Sequence, residues 1–275
     1  MIEIAGKQVK MAKINKVLIN HISQEAIEWI QSYSGSTSKE ELWAELGVSH
    51  KKDKSVVTEL DLKLSKMTFD ILKESGLLEE NAFFCEELSD RPELSFPTFI
   101  LDPVDGTREL VRGMDEWCYS LAYMASMKIS DKSNLGWIYA PQIGLSVQDE
   151  ALVWRDSHLP QAEKPWLGLV SRSEWEKGFY EALDVEDYIN ISPRGSIALK
   201  LAMLAIGSCD FVVSRNPKNI WDIAAGTILC SRRNIKLYNL EGEIEFLDQQ
   251  LIDGPLLWCR ENYFSELKSI LKNLE

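Results

Sequence analysis

Histidine is scarce in this chain, with three in 275 residues, so chemistry built on imidazole ligands or imidazole acid–base groups has little material. Cysteines number five (Cys85, Cys118, Cys209, Cys230, Cys259), scattered and never in a C-x-x-C pair. That argues against a zinc site and favours reduced thiols over disulfides, as expected of a cytoplasmic protein. No apolar run approaches the roughly 18 residues of a membrane span. Met1-Ile2-Glu3-Ile4-Ala5 lacks the basic then apolar pattern of a secretory signal, so none is expected. Bases are outnumbered, 30 Lys and Arg against 43 Asp and Glu, for a net charge of −13. Such a chain binds nucleic acid polymers and anionic membranes poorly. It also repels an anionic substrate unless cations offset the field locally. Repeats, low-complexity tracts and long linkers are absent, while 45% hydrophobic residues suffice for a sizeable core.

What the chain does have is organised around Thr98-Phe99-Ile100-Leu101-Asp102-Pro103-Val104-Asp105-Gly106-Thr107-Arg108-Glu109-Leu110. Phe99, Ile100 and Leu101 read as a strand covered on both faces. Pro103 biases Asp102 away from helix, so the strand is expected to end there. Gly106 permits a sharp turn, and Thr107 or Asp105 is expected to cap the helix that follows. Asp102 and Asp105 sit three residues apart and repel each other unless a cation lies between them. Mg²⁺ suits carboxylate oxygens best. The backbone N–H groups of Gly106 and Thr107, at a helix start, suit a phosphate oxygen. An ordinary Asx turn with a cap explains the same residues.

The rest of the chain reads as mixed helix and strand. An amphipathic helix is expected over 9–33, a short helical piece over 42–46 and a polar loop over 51–58. Thr58 and Asp61 have the spacing of a capping box, opening a helix towards Gly76 with Leu64, Met67, Ile71 and Leu72 inward. Residues 83–85 form a strand that delivers Glu86 and Glu87, a pair that on its own reads as solvated surface. Strands over 119–127, 135–140, 151–154 and 167–170 read as an antiparallel meander. A helix over 175–183 and a strand over 188–191 follow. Gly195-Ser196 then opens a helix to Ile206, where Ser196 is a natural N-cap. A strand over 210–213 and a loop over 216–220 lead to a helix beginning at Trp221-Asp222, where Asp222 also reads as a cap. A strand over 256–259 and an amphipathic helix over 264–274 close the chain.

Four stretches in order carry a resemblance. Lys51-x-Asp53-x-Ser55-x-Val57-Thr58-x-x-Asp61 is followed by Glu86-Glu87, then by Asp102-Pro103-Val104-Asp105-Gly106-Thr107, then by Trp221-Asp222-Ile223-Ala224-Ala225-Gly226. Together they resemble the inositol monophosphatase family of Mg²⁺-dependent, Li⁺-sensitive phosphatases. The resemblance implies a layered αβαβα sandwich of mixed α/β (α+β) class. It would be a single domain over 1–275, with an N-terminal α+β half of about 1–155 and a C-terminal α/β half of about 156–275. It implies that Glu86, Asp102 and the Val104 carbonyl hold one Mg²⁺, and that Asp102, Asp105 and Asp222 hold a second. A third, weaker ion near Glu86 belongs to the same implication. Asp61 would pair with the Thr107 hydroxyl to orient the attacking water, with Glu86 as a further catalytic residue. Gly106 and Thr107 would hold phosphate, and Gly195 and Ser196 would line the substrate pocket. A homodimer fits many relatives.

Arg108-Glu109 and the Asn219 loop resemble the 3′(2′),5′-bisphosphate nucleotidase branch. Arg215, in place of an acid, suits a second phosphate. The expected substrate is therefore a small phosphate ester, leaning to the 3′-phosphate of such a nucleotide. An inositol or sugar phosphate is the alternative, and a non-catalytic binding protein is the alternative of another class. A G-x-G-A segment usual in the family is missing; residues 148–151 occupy its place, which points to an altered substrate rim. Cys85 also departs from the glycine common there.

Overall fold

The computed structural model describes residues 17, 21, 24, 43, 47–50, 56–88, 92–149, 164–181 and 186–274. The elements expected over 9–33, 42–46 and 151–154 lie outside these residues, apart from isolated positions, as do Lys51, Asp53 and Ser55. The end of the expected 51–58 loop is instead a short ladder, β1 (Ser49–His50) pairing with β2 (Val56–Val57).

Helix α1 (Glu59–Glu74) starts where the sequence says it should. Thr58 is its N-cap, the Asp61 side chain accepts from the Thr58 backbone, and Leu60, Leu64 and Leu72 are buried. It lies on a first sheet of β3 (Ala82–Cys85), β4 (Thr98–Asp105), β5 (Cys118–Met124), β6 (Leu135–Ala140) and β7 (Leu145–Gln148), joined in that order. β3 and β4 are parallel; the other neighbours are antiparallel. The side chains alternate as a pleated sheet requires. Phe99 and Leu101 pack with Leu60 and Leu64, while Ile100 packs on the opposite face. The short helix α2 (Thr107–Leu110) follows β4.

The second sheet contains β8 (Trp166–Ser171), β9 (Ile189–Arg194), β10 (Phe211–Ser214), β12 (Ile235–Tyr238) and β14 (Leu256–Arg260). Its order is β12-β14-β10-β8-β9, with β10, β8 and β9 mutually parallel. Between chain neighbours lie α3 (Arg172–Trp175), α4 (Ile197–Ala205), the two-residue strands β11 (Lys218–Asn219) and β13 (Leu251–Ile252), which pair with each other, and α5 (Ile220–Ser231). Helix α6 (Glu261–Leu274) covers the outer face, packing Tyr263, Leu267, Ile270 and Leu271 on Phe211, Val213 and Leu257.

Helices α4 and α5 form the middle layer. One apolar cluster joins their Leu201, Ile223 and Ile228 to Ile100 and Ile138 of the first sheet and to Val212 and Trp258 of the second. The layers therefore run α1, sheet, α4 and α5, sheet, α6: an αβαβα sandwich. Gly226 makes the middle layer thin, since a Cβ there would stand 2.5 Å from the Cβ of Leu201 on α4.

Three expectations change. The run over 167–170 does not extend the first meander; it lies within β8 of the second sheet, parallel to its neighbours. A short apolar run reads alike in either setting. The helix expected over 175–183 is displaced: the helical stretch is Arg172–Trp175, residues 176–181 are turns, and 182–183 lie outside the described residues. And β4 does not stop at Pro103 but runs on to Asp105, with its register against β5 broken between Asp102 and Asp105.

Candidate active site

The break in β4 turns two acids towards the middle layer. At Asp102, Oδ1 accepts the Val104 N–H at 3.0 Å. Gly106 then takes φ 99°, and a Cβ on it would lie 2.7 Å from the Glu116 carbonyl, so only glycine fits. The expectation that Thr107 or Asp105 caps α2 is corrected: Gly106 occupies the cap position without a side-chain bond. The Thr107 hydroxyl instead lies 2.9 Å from the Val104 carbonyl and 3.2 Å from Oδ1 of Asp61. Oδ2 of Asp61 is taken by the backbone N–H and hydroxyl of Thr58. The capping box and the Thr107 pair thus share one carboxylate.

Asp105 is held from the middle layer. Its Oδ2 accepts the Ser196 hydroxyl at 2.7 Å and the Ala198 N–H at 2.5 Å. Ser196 is also the N-cap of α4, so its hydroxyl is engaged within the protein. Asp222 stands at the third position of α5 rather than at the cap, which is Asn219; the Asn219 N–H donates to it at 3.1 Å. Carboxylate oxygens of Asp102, Asp105 and Asp222 lie within 4.8 Å of one another. Glu86, placed by β3 and by its N–H bond to the Leu101 carbonyl, lines the same cleft.

Burial is the main force on these acids. It pushes Asp102 well above the usual carboxylate range, with Glu86, Asp105 and Asp222 adding repulsion. Burial, then the charge of Asp105, lifts Asp222 to about 8. Asp105 is raised by burial, against the bonds from Ser196 and Ala198. Asp61 rises to about 7, again chiefly by burial. Clustered buried carboxylates of this kind are an all-oxygen donor set that a hard divalent cation would satisfy.

The cleft has a volume of about 640 Å³ and also receives Gly106, Thr107, Gly195 and Ser196. Five cations line it in this acidic chain: Arg108, Arg172, Arg194, Lys200 and Lys218. Only Arg108 was weighed in the sequence. Lys200 leaves a trace as the lone charge in the apolar helix Ile197–Ala205. The others give no local signal, because they come from separate elements: Arg172 opens α3, Arg194 ends β9 and Lys218 lies in β11. Arg172 is engaged by Glu116 at 2.7 Å. Glu109 is buried against Gly195, where burial raises its carboxyl.

Arg215 is not brought to the cleft. Its guanidinium sits 4.4 Å from the centre of the Phe179 ring, and its backbone N–H bonds Glu174. The stacking contact takes the side chain that was expected to meet substrate. The 148–151 segment does not shape the rim through Asp149 either; that carboxylate holds the Gly136 N–H at 2.6 Å and Arg232 at 2.7 Å. Cys85 packs beside Ser65 of α1, and burial pushes its thiol up to about 11, so it is a packing residue. All five cysteines are buried and free. Among the described residues no helix is long and apolar enough to cross a membrane.

The sequence model of the inositol monophosphatase family matches residues 11–251. A fructose-1,6-bisphosphatase/inositol-1-monophosphatase of Thermotoga maritima is 28% identical over 188 residues, 64% of this chain and 68% of the relative. The 3′(2′),5′-bisphosphate nucleotidase CysQ of Escherichia coli is 26% identical over 153 residues, 53% of this chain and 60% of the relative. Among solved structures, an IMPase of Thermotoga maritima superposes with a TM-score of 0.65 at 22% identity, covering 85% of this chain and 91% of that one. An IMPase/NADP phosphatase complexed with Mg²⁺ and phosphate superposes with a TM-score of 0.64 at 17% identity, covering 96% and 95%. The chain belongs to the inositol monophosphatase family and is a phosphatase of phosphoric monoesters.

Proposed function

We propose that this phosphatase is a Mg²⁺-dependent enzyme whose preferred substrate is a 3′(2′),5′-bisphosphate nucleotide, hydrolysed at the 3′-phosphate. The observation that carries the chemistry is the meeting, in one cleft, of the Asp102, Asp105 and Asp222 carboxylates with a Thr107 hydroxyl tied to Asp61. Glu86, Asp102, Asp105, Asp222 and the Val104 carbonyl would hold two Mg²⁺. When bound, the ions supply a more acidic water and charge stabilisation for the leaving oxygen.

The protein's own part is orientation and proton handling. With its hydroxyl hydrogen-bonded to Asp61, Thr107 would turn its oxygen lone pairs to the attacking water and align it towards phosphorus. Asp61, lifted to about 7 by burial, is close to neutral pH and suited to accept a proton. The N–H groups of Gly106 and Thr107 hold non-reacting phosphate oxygens. The non-catalytic alternative is disfavoured because every one of these groups is present.

The nucleotide reading rests on the cations of the cleft, above all Arg194 and Lys218, which fit a second phosphate, and on similarity to the CysQ nucleotidase. Inositol or sugar phosphate is the second reading. Similarity to the Thermotoga maritima relative favours it, as does the turning of Arg215 onto Phe179. Phosphate release with Mg²⁺ from adenosine 3′,5′-bisphosphate and from inositol 1-phosphate, each with and without Li⁺, separates them. A clear preference for the nucleotide is expected. Preference for inositol 1-phosphate would overturn the substrate while leaving the chemistry. Release from neither, with Mg²⁺ bound in calorimetry, would overturn both readings.

A further inference from the structure

Strand β5 runs antiparallel beside β4 and sets one residue opposite each acid of the broken stretch: Cys118 opposite Asp105, and Ser120 opposite Asp102. Cross-strand partners project from the same face of a sheet. Alternation along β5 shows which face this is. Cys118, Ala122 and Met124 join the apolar cluster of the middle layer, while Tyr119, Leu121 and Tyr123 pack with the residues of α1. Ser120 therefore lies with Asp102 on the face turned to α4 and α5.

The two pairs are satisfied differently. Asp105 and Cys118 share a partner: the Ser196 hydroxyl donates to Asp105 at 2.7 Å and lies 3.3 Å from the Cys118 sulfur. The Ser120 hydroxyl makes no hydrogen bond within the protein, although the residue is 1% exposed. Asp102 is as deeply buried, and its Oδ1 takes the Val104 N–H. On its other side Ser120 is paired with Ile138 of β6, whose side chain accepts nothing, so Asp102 is the carboxylate its cross-strand pairs offer. A hydroxyl shut away from water without a partner costs stability, and such a group in a folded protein points to a functional use.

We propose that Ser120 is a positioning residue for Asp102: its hydroxyl, unpaired in the metal-free protein, donates to the Asp102 carboxylate when a divalent cation occupies the acidic cluster, and so raises the affinity of the cluster for Mg²⁺ without contributing to the fold. Carboxylates that ligate a metal are themselves hydrogen-bonded, and the partner fixes their orientation. Ser120 is not among the described residues that line the cleft, so it acts through Asp102 and not on substrate. The inference rests on the reading of the cluster as a Mg²⁺ site.

The test is calorimetric titration of the full chain with MgCl₂, alongside thermal melts in EDTA and steady-state kinetics. Wild type, Ser120→Ala and Ser120→Cys are compared. Ser120→Ala is expected to weaken Mg²⁺ binding by about tenfold, as loss of a group supporting a ligand does. Its metal-free melting temperature is expected to equal or exceed that of wild type, because a buried unpaired hydroxyl has gone. A residue that served packing alone would move these two readouts the other way: a lower melting temperature and an unchanged affinity. At saturating Mg²⁺ the kcat of Ser120→Ala is expected within about threefold of wild type, while the Mg²⁺ concentration giving half the maximal rate rises in step with the calorimetric constant. Ser120→Cys, with a weaker donor in the same place, is expected to fall between the two.

A folded Ser120→Ala protein with wild-type Mg²⁺ affinity overturns the proposal. So does a lowered metal-free melting temperature, which would place the hydroxyl's bond in the fold itself. If Ser120→Ala does not fold, Ser120→Cys decides by the same two readouts. A wild-type chain that binds no Mg²⁺ is a different result, and overturns the reading of the cluster itself.

Discussion

The hydroxyl of Thr107 lies 3.2 Å from Oδ1 of Asp61, a residue 46 positions earlier on another element. The second oxygen of Asp61 caps α1 through Thr58, so the cap fixes the orientation of the Asp61–Thr107 pair, the proposed relay. Thr107→Ala removes the relay and keeps the cap. Its kcat is expected to fall by about 10²–10³, the usual scale for a positioned proton-transfer group. Mg²⁺ affinity and melting temperature should stay near wild type, and Thr107→Ser should restore most of the rate. Steady-state kinetics with the two variants is the check; full activity in Thr107→Ala would remove Thr107 from the mechanism.

Asp61 also ties stability to pH. Burial raises its carboxyl from 3.8 to about 7 in the fold, so between those values the native state holds a proton that the unfolded state has lost. Stability from this group is complete below the unfolded value and is lost as pH rises through about 7. The full difference corresponds to roughly 4 kcal/mol. In urea denaturation with EDTA, the chain is expected to weaken from pH 5 to pH 8, and Asp61→Asn to show a shallower decline. An equal slope in both proteins would contradict the burial of an ionisable Asp61.

Motif spacing made part of this site legible. Thr58 and Asp61 announced the cap, and Asp102, Asp105 and Asp222 came together as their motifs implied. The layered fold came from resemblance, because apolar runs such as that within β8 do not reveal which sheet they join. The cationic wall was not legible at all. Arg194, Lys200 and Lys218 sit in unrelated local contexts, and only the packing of the second sheet's loops over the first brings them to one cleft. The stacking of Arg215 on Phe179 was not legible for a matching reason: Phe179 lies in a separate segment and has no sequence signal.

Asp102 is the most buried of the acid cluster and receives repulsion from Glu86, Asp105, Asp222 and Asp61. Asp102→Asn keeps shape and removes that charge. Its kcat is expected to drop by at least about 10³, with Mg²⁺ binding weakened in calorimetry. In the metal-free protein, where burial holds the Asp102 carboxyl well above the usual range, the variant should gain stability over wild type as pH rises and the wild-type carboxyl is forced to ionise. Near-wild-type turnover would sink the two-ion assignment.

Gly106 combines φ 99° with a backbone carbonyl, that of Glu116, at 2.7 Å from any added Cβ. Gly106→Ala therefore strains both the dihedral and the contact, for a cost of about 1–3 kcal/mol. The turn carries Thr107 and follows Asp105 directly, so activity should fall more steeply than stability. Denaturant melts and kcat measured together check this, and a variant with unchanged values of both would refute the strain argument.

Arg194 and Arg215 offer opposite expectations for substrate choice. The Arg194 side chain is 42% exposed in the cleft; its Nη1 donates to the Pro193 carbonyl at 3.0 Å and its Nε lies 3.8 Å from Glu116, which leaves the remaining N–H groups to a second phosphate. Arg215 is committed to the face of Phe179. Arg194→Ala is expected to raise KM for adenosine 3′,5′-bisphosphate by about tenfold, the scale of one charge-assisted hydrogen bond. The same variant should leave inositol 1-phosphate within about threefold, since that substrate has no second phosphate to lose. Arg215→Ala should leave both KM values within about twofold and lower the melting temperature instead, through the lost stacking on Phe179. If Arg215→Ala is the variant that discriminates between the substrates, then Arg215 leaves Phe179 when the ligand binds, and the second phosphate is read from the β10 loop and not from β9.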